Sequence, residues 1–275
     1  MSTRMWRALT AGALAAFLVS GVLAVGHWRS WWAPDPPRDP GALVLRVRFV
    51  KGMGISGERA APAVSVYGDG RAIVASLDLG STPAREQVRE MRFTGGAYRA
   101  IYRDAHLAGL GASRTHRNRQ EVIDGGLTEI TFLSGGRRHV TTVHQAAGGA
   151  RVWLIHRLID RLGARSGVVE PSRDDLTGPP RAYRADRVAV MARRISLDGI
   201  SKDAGATRPW PFRRPVAELN GSYTCALHTG AEAEGVARLL GSAAPNSSWS
   251  SGERRYALRL RPLLPDETDC ESLPE

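Results

Sequence analysis

The feature that most limits this chain is an uncharged apolar run from Ala8 to Val25. It follows Arg4 and Arg7 and precedes Trp28, Trp31 and Trp32. As a helix the run rises about 27 Å, just enough to cross the hydrocarbon of a bilayer. Tryptophan favours headgroup depth, and arginines ahead of the run favour a cytoplasmic N-terminus, which sends the rest of the chain outside. A cleaved signal peptide competes with this reading, because Val22-Leu23-Ala24 and Ala24-Val25-Gly26 both satisfy the small-residue rule. A buried helix is the third alternative. The length of the run and the tryptophan cluster favour a retained anchor. The expectation is a single-pass protein of the cell membrane that contacts the membrane through residues 8–25. Residues 1–27 form the transmembrane helix and the bulk of the chain is extracytoplasmic. The alternative is secretion after cleavage near Ala24 or Gly26.

Residues 28–41 read as a tryptophan-containing interface followed by a linker with Pro34, Pro36, Pro37 and Pro40. Such a stretch tends to polyproline II and acts as a stiff spacer, lifting a domain by about 28 Å.

Export bears on the only two cysteines, Cys225 and Cys270. Two thiols cannot build a zinc site alone. In an oxidising compartment they are expected to pair, which would add about 4 kcal/mol in the chain-entropy picture. The alternative is two separate buried thiols.

The charge narrows the partners. There are 38 basic and 27 acidic residues, a net of +11, and Lys51 and Lys202 are the only lysines. Arginine in place of lysine fits GC-rich codon usage, which does not explain the positive net. Nearly all of the excess lies in the first 200 residues. No nucleic-acid motif or aromatic platform accompanies it, so nucleic acid is not an expected partner. For an exported domain the anions at hand are phospholipid headgroups and wall polymers. The stretch from Arg85 to Arg119 has eight arginines against three acidic residues, a net of +5, and Arg114, Arg117 and Arg119 are the candidate anion contacts. The alternative is a solvated face plus loop.

The folded part reads as α+β: antiparallel hairpins with about three packed helices. Leu43, Leu45, Val47 and Phe49 alternate with Arg46 and Arg48, a half-buried strand. Ala63–Tyr67 and Arg71–Ala75 flank Gly68-Asp69-Gly70, and Leu127–Leu133 and His139–Val143 flank Gly135-Gly136, giving two hairpins. Thr94 caps a helix through Ala97, Tyr98, Ile101 and Ala105 that stops at Gly109. Val152, Ile155, Ile159 and Leu162 mark a second helix, closed by Gly163, and Trp153 is expected in its core. Ala233, Val236 and Leu240 mark a third. Arg187–Arg193 reads as a strand, and Tyr256, Leu258 and Leu260 alternate with Arg255, Arg259 and Arg261 in the last. Residues 42–168 are expected to form an α+β lobe and 169–275 a C-terminal lobe holding the disulfide. A proline- and acid-containing stretch near 170–181 either separates them or forms a surface loop.

No catalytic, cofactor or metal signature emerges. The histidines are scattered, and no nucleophile elbow, phosphate loop or dinucleotide fingerprint occurs. Asp174/Asp175 and Asp266/Glu267 are adjacent pairs, but glycoside hydrolysis requires carboxyls facing each other across a sugar. Asp69 reads as a turn residue. Trp210 and Trp249 read as core or loop anchors, with a carbohydrate platform as the alternative.

Two stretches carry a family resemblance: Pro62-Ala63-Val64-Ser65-Val66-Tyr67-Gly68-Asp69-Gly70-Arg71, and Arg261-Pro262-Leu263-Leu264-Pro265-Asp266-Glu267 followed by Cys270. Together they resemble uncharacterised exported or membrane-anchored proteins of actinomycetes. The resemblance implies an actinobacterial envelope setting and no particular activity. The expected function is that of an anchored binding or structural envelope component, with an envelope protein or an anionic polymer as partner. The alternative is a carboxylate-based hydrolase of cell-envelope glycans.

Overall fold

A computed structural model describes residues 33–50, 61–78, 85–117, 125–164, 171–195, 207–212, 223–243, 247–251 and 254–273. The apolar run, Arg4, Arg7, Trp28, Trp31, Trp32 and Arg119 lie outside the described residues. No helix among the described residues is long and apolar enough to cross a membrane.

The first sheet has eight strands in the order β5-β7-β6-β1-β2-β3-β4-β8. These are β1 (Leu43–Val50), β2 (Val64–Tyr67), β3 (Arg71–Asp78), β4 (Arg85–Arg92), β5 (Arg114–His116), β6 (Leu127–Ser134), β7 (Arg137–His144) and β8 (Arg181–Ala182). The first strand lies mid-sheet, with the β2–β3–β4 meander on one side and the β6–β7 hairpin on the other. Every pairing is antiparallel except β5 with β7. The turn chemistry explains the hairpins. Gly70 and the Gly135-Gly136 pair take positive φ, and the Asp69 carboxylate accepts the Arg71 N–H at 3.0 Å.

Helices α1 (Gly95–Leu107) and α2 (Ala150–Arg161) cover one face of this sheet. Thr94 Oγ1 accepts the Ala97 N–H, and Gly109 and Gly163 sit just past the two helix ends at φ +81° and +70°. Leu45, Val47, Val64, Val66, Ile130 and Phe132 from the sheet meet Ile101, Tyr102, Ile155 and Ile159 from the helices in the main core. Trp153 is not in that core. It is 60% exposed, because Val152, Ile155 and Ile159 already fill the buried stripe and residue 153 turns away from it.

The second sheet has the order β10-β12-β13-β9-β11, from β9 (Arg187–Arg194), β10 (Thr207–Pro209), β11 (Tyr223–Thr229), β12 (Ser248–Ser251) and β13 (Arg254–Pro262). Helix α3 (Gly230–Ser242) packs Ala233 and Val236 on Val188 and Val190. The architecture is therefore α+β, with two sheets and three helices among the described residues. The first sheet extends through β8 to Ala182, beyond the expected boundary at residue 168, because Arg181 and Ala182 pair with Glu90 and Arg89 on β4.

The proline linker is not wholly a free spacer. Tyr98 Oη donates to the Pro37 carbonyl at 2.7 Å, and Gly68 N–H donates to the Ala42 carbonyl. A Cβ on Gly68 would lie 2.3 Å from the Asp39 carbonyl oxygen, so glycine is what lets the linker lie this close. The tether therefore docks against the first lobe from Pro37 onward.

Candidate functional site

The C-terminal stretch after β13 carries a dense set of hydrogen bonds, ion pairs and the disulfide. It returns over the second sheet on the face opposite α3. There Leu263 and Leu273 pack against Ala189, Met191 and Cys225. Cys225 and Cys270 form a disulfide with Cα atoms 6.1 Å apart, as expected from the sequence. Arg261, which alternates with Leu260 along β13, is buried. Its Nη2 meets Glu267 Oε1 at 2.7 Å, and both side chains are 1% exposed. Glu267 Oε2 also accepts the Leu264 N–H at 2.8 Å.

The neighbouring residues of the same stretch turn to the first lobe. Leu264 packs with Leu43, Tyr67 and Ile73. Asp266 Oδ1 accepts from Arg46 Nη2 at 2.8 Å and from Tyr67 Oη at 2.7 Å, while Tyr183 Oη donates to the Leu263 carbonyl at 2.8 Å. Burial, then the Asp266 charge, holds the Tyr67 phenol far above its ordinary range. Burial also pushes the Tyr183 phenol up to about 12. Leu263 and Glu267 thus serve the second sheet, and Leu264 and Asp266 the first. The Pro62–Arg71 and Arg261–Glu267 stretches meet here, Tyr67 against Asp266.

A cavity of about 510 Å³ opens on the helix side of β3 and β4. Helix α2 stops at Gly163 and leaves this part of the sheet uncovered. The strap of residues 171–180 roofs it, and Gly178-Pro179-Pro180 can neither continue a helix nor donate a full ladder. Val74, Met91, Leu176 and Pro179 supply apolar wall, with Ser76, Arg89 and Arg173 as the polar groups. No carboxylate is among the described residues lining it.

The arginines expected to contact anions divide. Arg114 and Arg117 are exposed on and beside β5, the edge strand of the first sheet. Arg151 of α2 lies on the same side, where it and Arg114 add to burial in lowering the His116 pKa. Two residues on, exposed Trp153 has the Arg157 guanidinium 5.6 Å from its ring centroid. Sequence reasoning missed Trp153 as a surface group. The signal was available, since position 153 falls outside the apolar spacing of α2.

Several carboxylates are paired with arginine. Besides Asp266 and Glu267, Asp69 meets Arg92 at 2.8 Å and Asp175 meets Arg161 at 3.4 Å. Ser134 Oγ lies 3.2 Å from His106 Nε2, and His106 Nδ1 lies beside Gly111, where an added Cβ would come within 3.3 Å of it. Burial, then His139, lowers the His106 pKa. Among the described residues no group of three histidine, cysteine or acidic side chains is placed to hold a metal ion. Trp249 is buried, and Trp210 meets it edge-on with centroids 5.8 Å apart, which is core packing rather than an open platform. No protein-family model, curated protein or solved structure matches the chain.

Proposed function

We propose that this chain is a membrane-anchored, extracytoplasmic binding component of the cell envelope, set against an anionic surface by its first lobe. Two observations carry the reading: exposed Arg114 and Arg117 at the β5 edge with Arg151 nearby, and exposed Trp153 with the Arg157 guanidinium over its ring on α2. Each arginine near an anionic bilayer surface contributes about 1 kcal/mol, and a tryptophan beside them suits headgroup depth. The disulfide supports an oxidising compartment. The docked linker also supports the reading, since it keeps the lobe nearer the bilayer than a free spacer would. The resemblance to actinomycete envelope proteins agrees with this setting. A glycan hydrolase is the weaker reading, because Asp69, Asp175, Asp266 and Glu267 are each paired with arginine.

The test is hydrogen exchange on the intact chain in nanodiscs. Residues 114–117 and 150–157 should gain protection in phosphatidylglycerol discs at low salt and lose it at high salt. Equal exchange in phosphatidylcholine and phosphatidylglycerol discs would remove the proposal.

A further inference from the structure

We infer that the cavity beneath the 171–180 strap is a binding site for a small amphiphilic carboxylate, tail inward and head at the arginines. Its volume of about 510 Å³ falls within the range of small-molecule pockets, roughly 300–1,000 Å³. Its lining has the composition such pockets use, apolar walls with a few polar groups.

The walls come from two independent parts of the chain. Val74 and Met91 project from the helix-side face of the first sheet, and Leu176 and the prolines come from the strap. The strap is held in place rather than merely draped. Phe93 bridges to Leu176, the Thr94 N–H donates to the Asp175 carbonyl at 2.8 Å, and the Thr177 N–H donates to the Arg92 carbonyl at 2.9 Å. Beyond Arg181 and Ala182, the Tyr183 N–H donates to the Val88 carbonyl. An apolar cavity with a fixed roof is preformed, so a tail enters without first ordering the protein.

The charge selects the head. Among the described residues that line the cavity, Arg89 and Arg173 are the ionisable ones, and both are positive. Arg89 is steadied by a 3.2 Å hydrogen bond from Nη2 to Gln87 Oε1. Ser76 adds a hydroxyl on the same strand face as Val74. A guanidinium matches a carboxylate in shape and charge, and such bonds are about twice as strong as neutral ones. A neutral alcohol of the same tail would gain the burial without the ionic part. The site is separate from the Arg114–Arg157 surface and does not depend on it.

The experiment is calorimetric titration of the intact chain in nanodiscs with decanoate, with empty nanodiscs as the blank and decanol as the neutral probe. One saturable decanoate site per chain is expected, with decanol at least tenfold weaker. Arg173→Gln should weaken decanoate about tenfold, the loss of one charge-assisted bond, and leave decanol unchanged. Ser76→Trp, which fills the cavity, should abolish both, and the circular-dichroism spectrum and melting temperature of each variant report that it remains folded. Arg114→Gln should change neither, which separates this site from the anionic-surface reading. Absence of saturable heat above the blank would overturn the proposal. So would equal decanol and decanoate affinity, or undiminished decanoate binding by folded Arg173→Gln.

Discussion

Replacing Glu267 by leucine tests the stretch that joins the two sheets at its most sensitive point. Arg261 and Glu267 are both 1% exposed and 2.7 Å apart, so the guanidinium has been taken out of water and depends on this carboxylate. Its Nη1 also donates to the Pro262 carbonyl at 2.6 Å, which does not neutralise it. Removing one partner of a buried pair costs about 3–5 kcal/mol, because a charge is left buried without compensation. The Leu264 N–H also loses its acceptor, adding about 1–3 kcal/mol. The total is a large fraction of a typical stability of about 5–15 kcal/mol. The double variant Arg261→Met, Glu267→Leu removes both charges and leaves chiefly the Leu264 N–H unpaired. It should therefore sit only about 1–3 kcal/mol below the parent. The assay is urea unfolding of the purified chain followed by circular dichroism, with the disulfide intact throughout. A single variant costing under 1 kcal/mol, or a double variant less stable than the single, would show that this pair is not buried as described.

Burial raises the Tyr67, Tyr98 and Tyr183 phenols above the ordinary value of 10.0, so the folded chain keeps their protons where the unfolded chain loses them. Stability should be complete below pH 10 and fall as pH rises above it, and phenolate absorbance from these three should appear only as the protein unfolds. Titration of all six tyrosines near pH 10 in folded protein would count against this. Gly68→Ala should drive the linker from its seat, exposing residues 37–42 to proteolysis while the sheet survives, since a Cβ there would collide with Asp39. Unchanged cleavage would refute that contact. His228 is 1% exposed among Trp210 and Phe212, and neither ring nitrogen makes a hydrogen bond, although Nδ1 lies 3.2 Å from Glu232 Oε1. His228→Phe should raise stability by about 1 kcal/mol, and a fall of that size in the melting curves would mean that the imidazole has a partner.

What could be read from the sequence was local. Gly68-Asp69-Gly70 and Gly135-Gly136 specify turns by their own backbone chemistry, and Thr94, Gly109 and Gly163 mark helix ends, so the hairpins and helices were legible. What required the fold was long-range. Arg46 and Arg261 alternate with apolar neighbours. Arg46 is half-buried because a segment more than 200 residues away supplies Asp266, and Arg261 is buried because the chain turns back six residues on to supply Glu267. The parallel pairings of β5 with β7 and β10 with β12 each involve a three-residue strand, β5 or β10, too short to leave a periodic signal. The cavity was illegible for the same reason. Its apolar walls come from strands and a proline strap far apart in sequence, and no spacing rule connects them.

The account rests on a chain kept at the membrane with its folded part in an oxidising compartment. The most direct measurement is the intact mass of the protein isolated from its native membrane under non-reducing conditions with thiols blocked. The account predicts a chain that retains residues 1–27 and is lighter by two hydrogens than the reduced form, with neither Cys225 nor Cys270 blocked. A chain beginning after Ala24 or Gly26 would contradict the anchor, and two blocked thiols would contradict both the disulfide and the compartment.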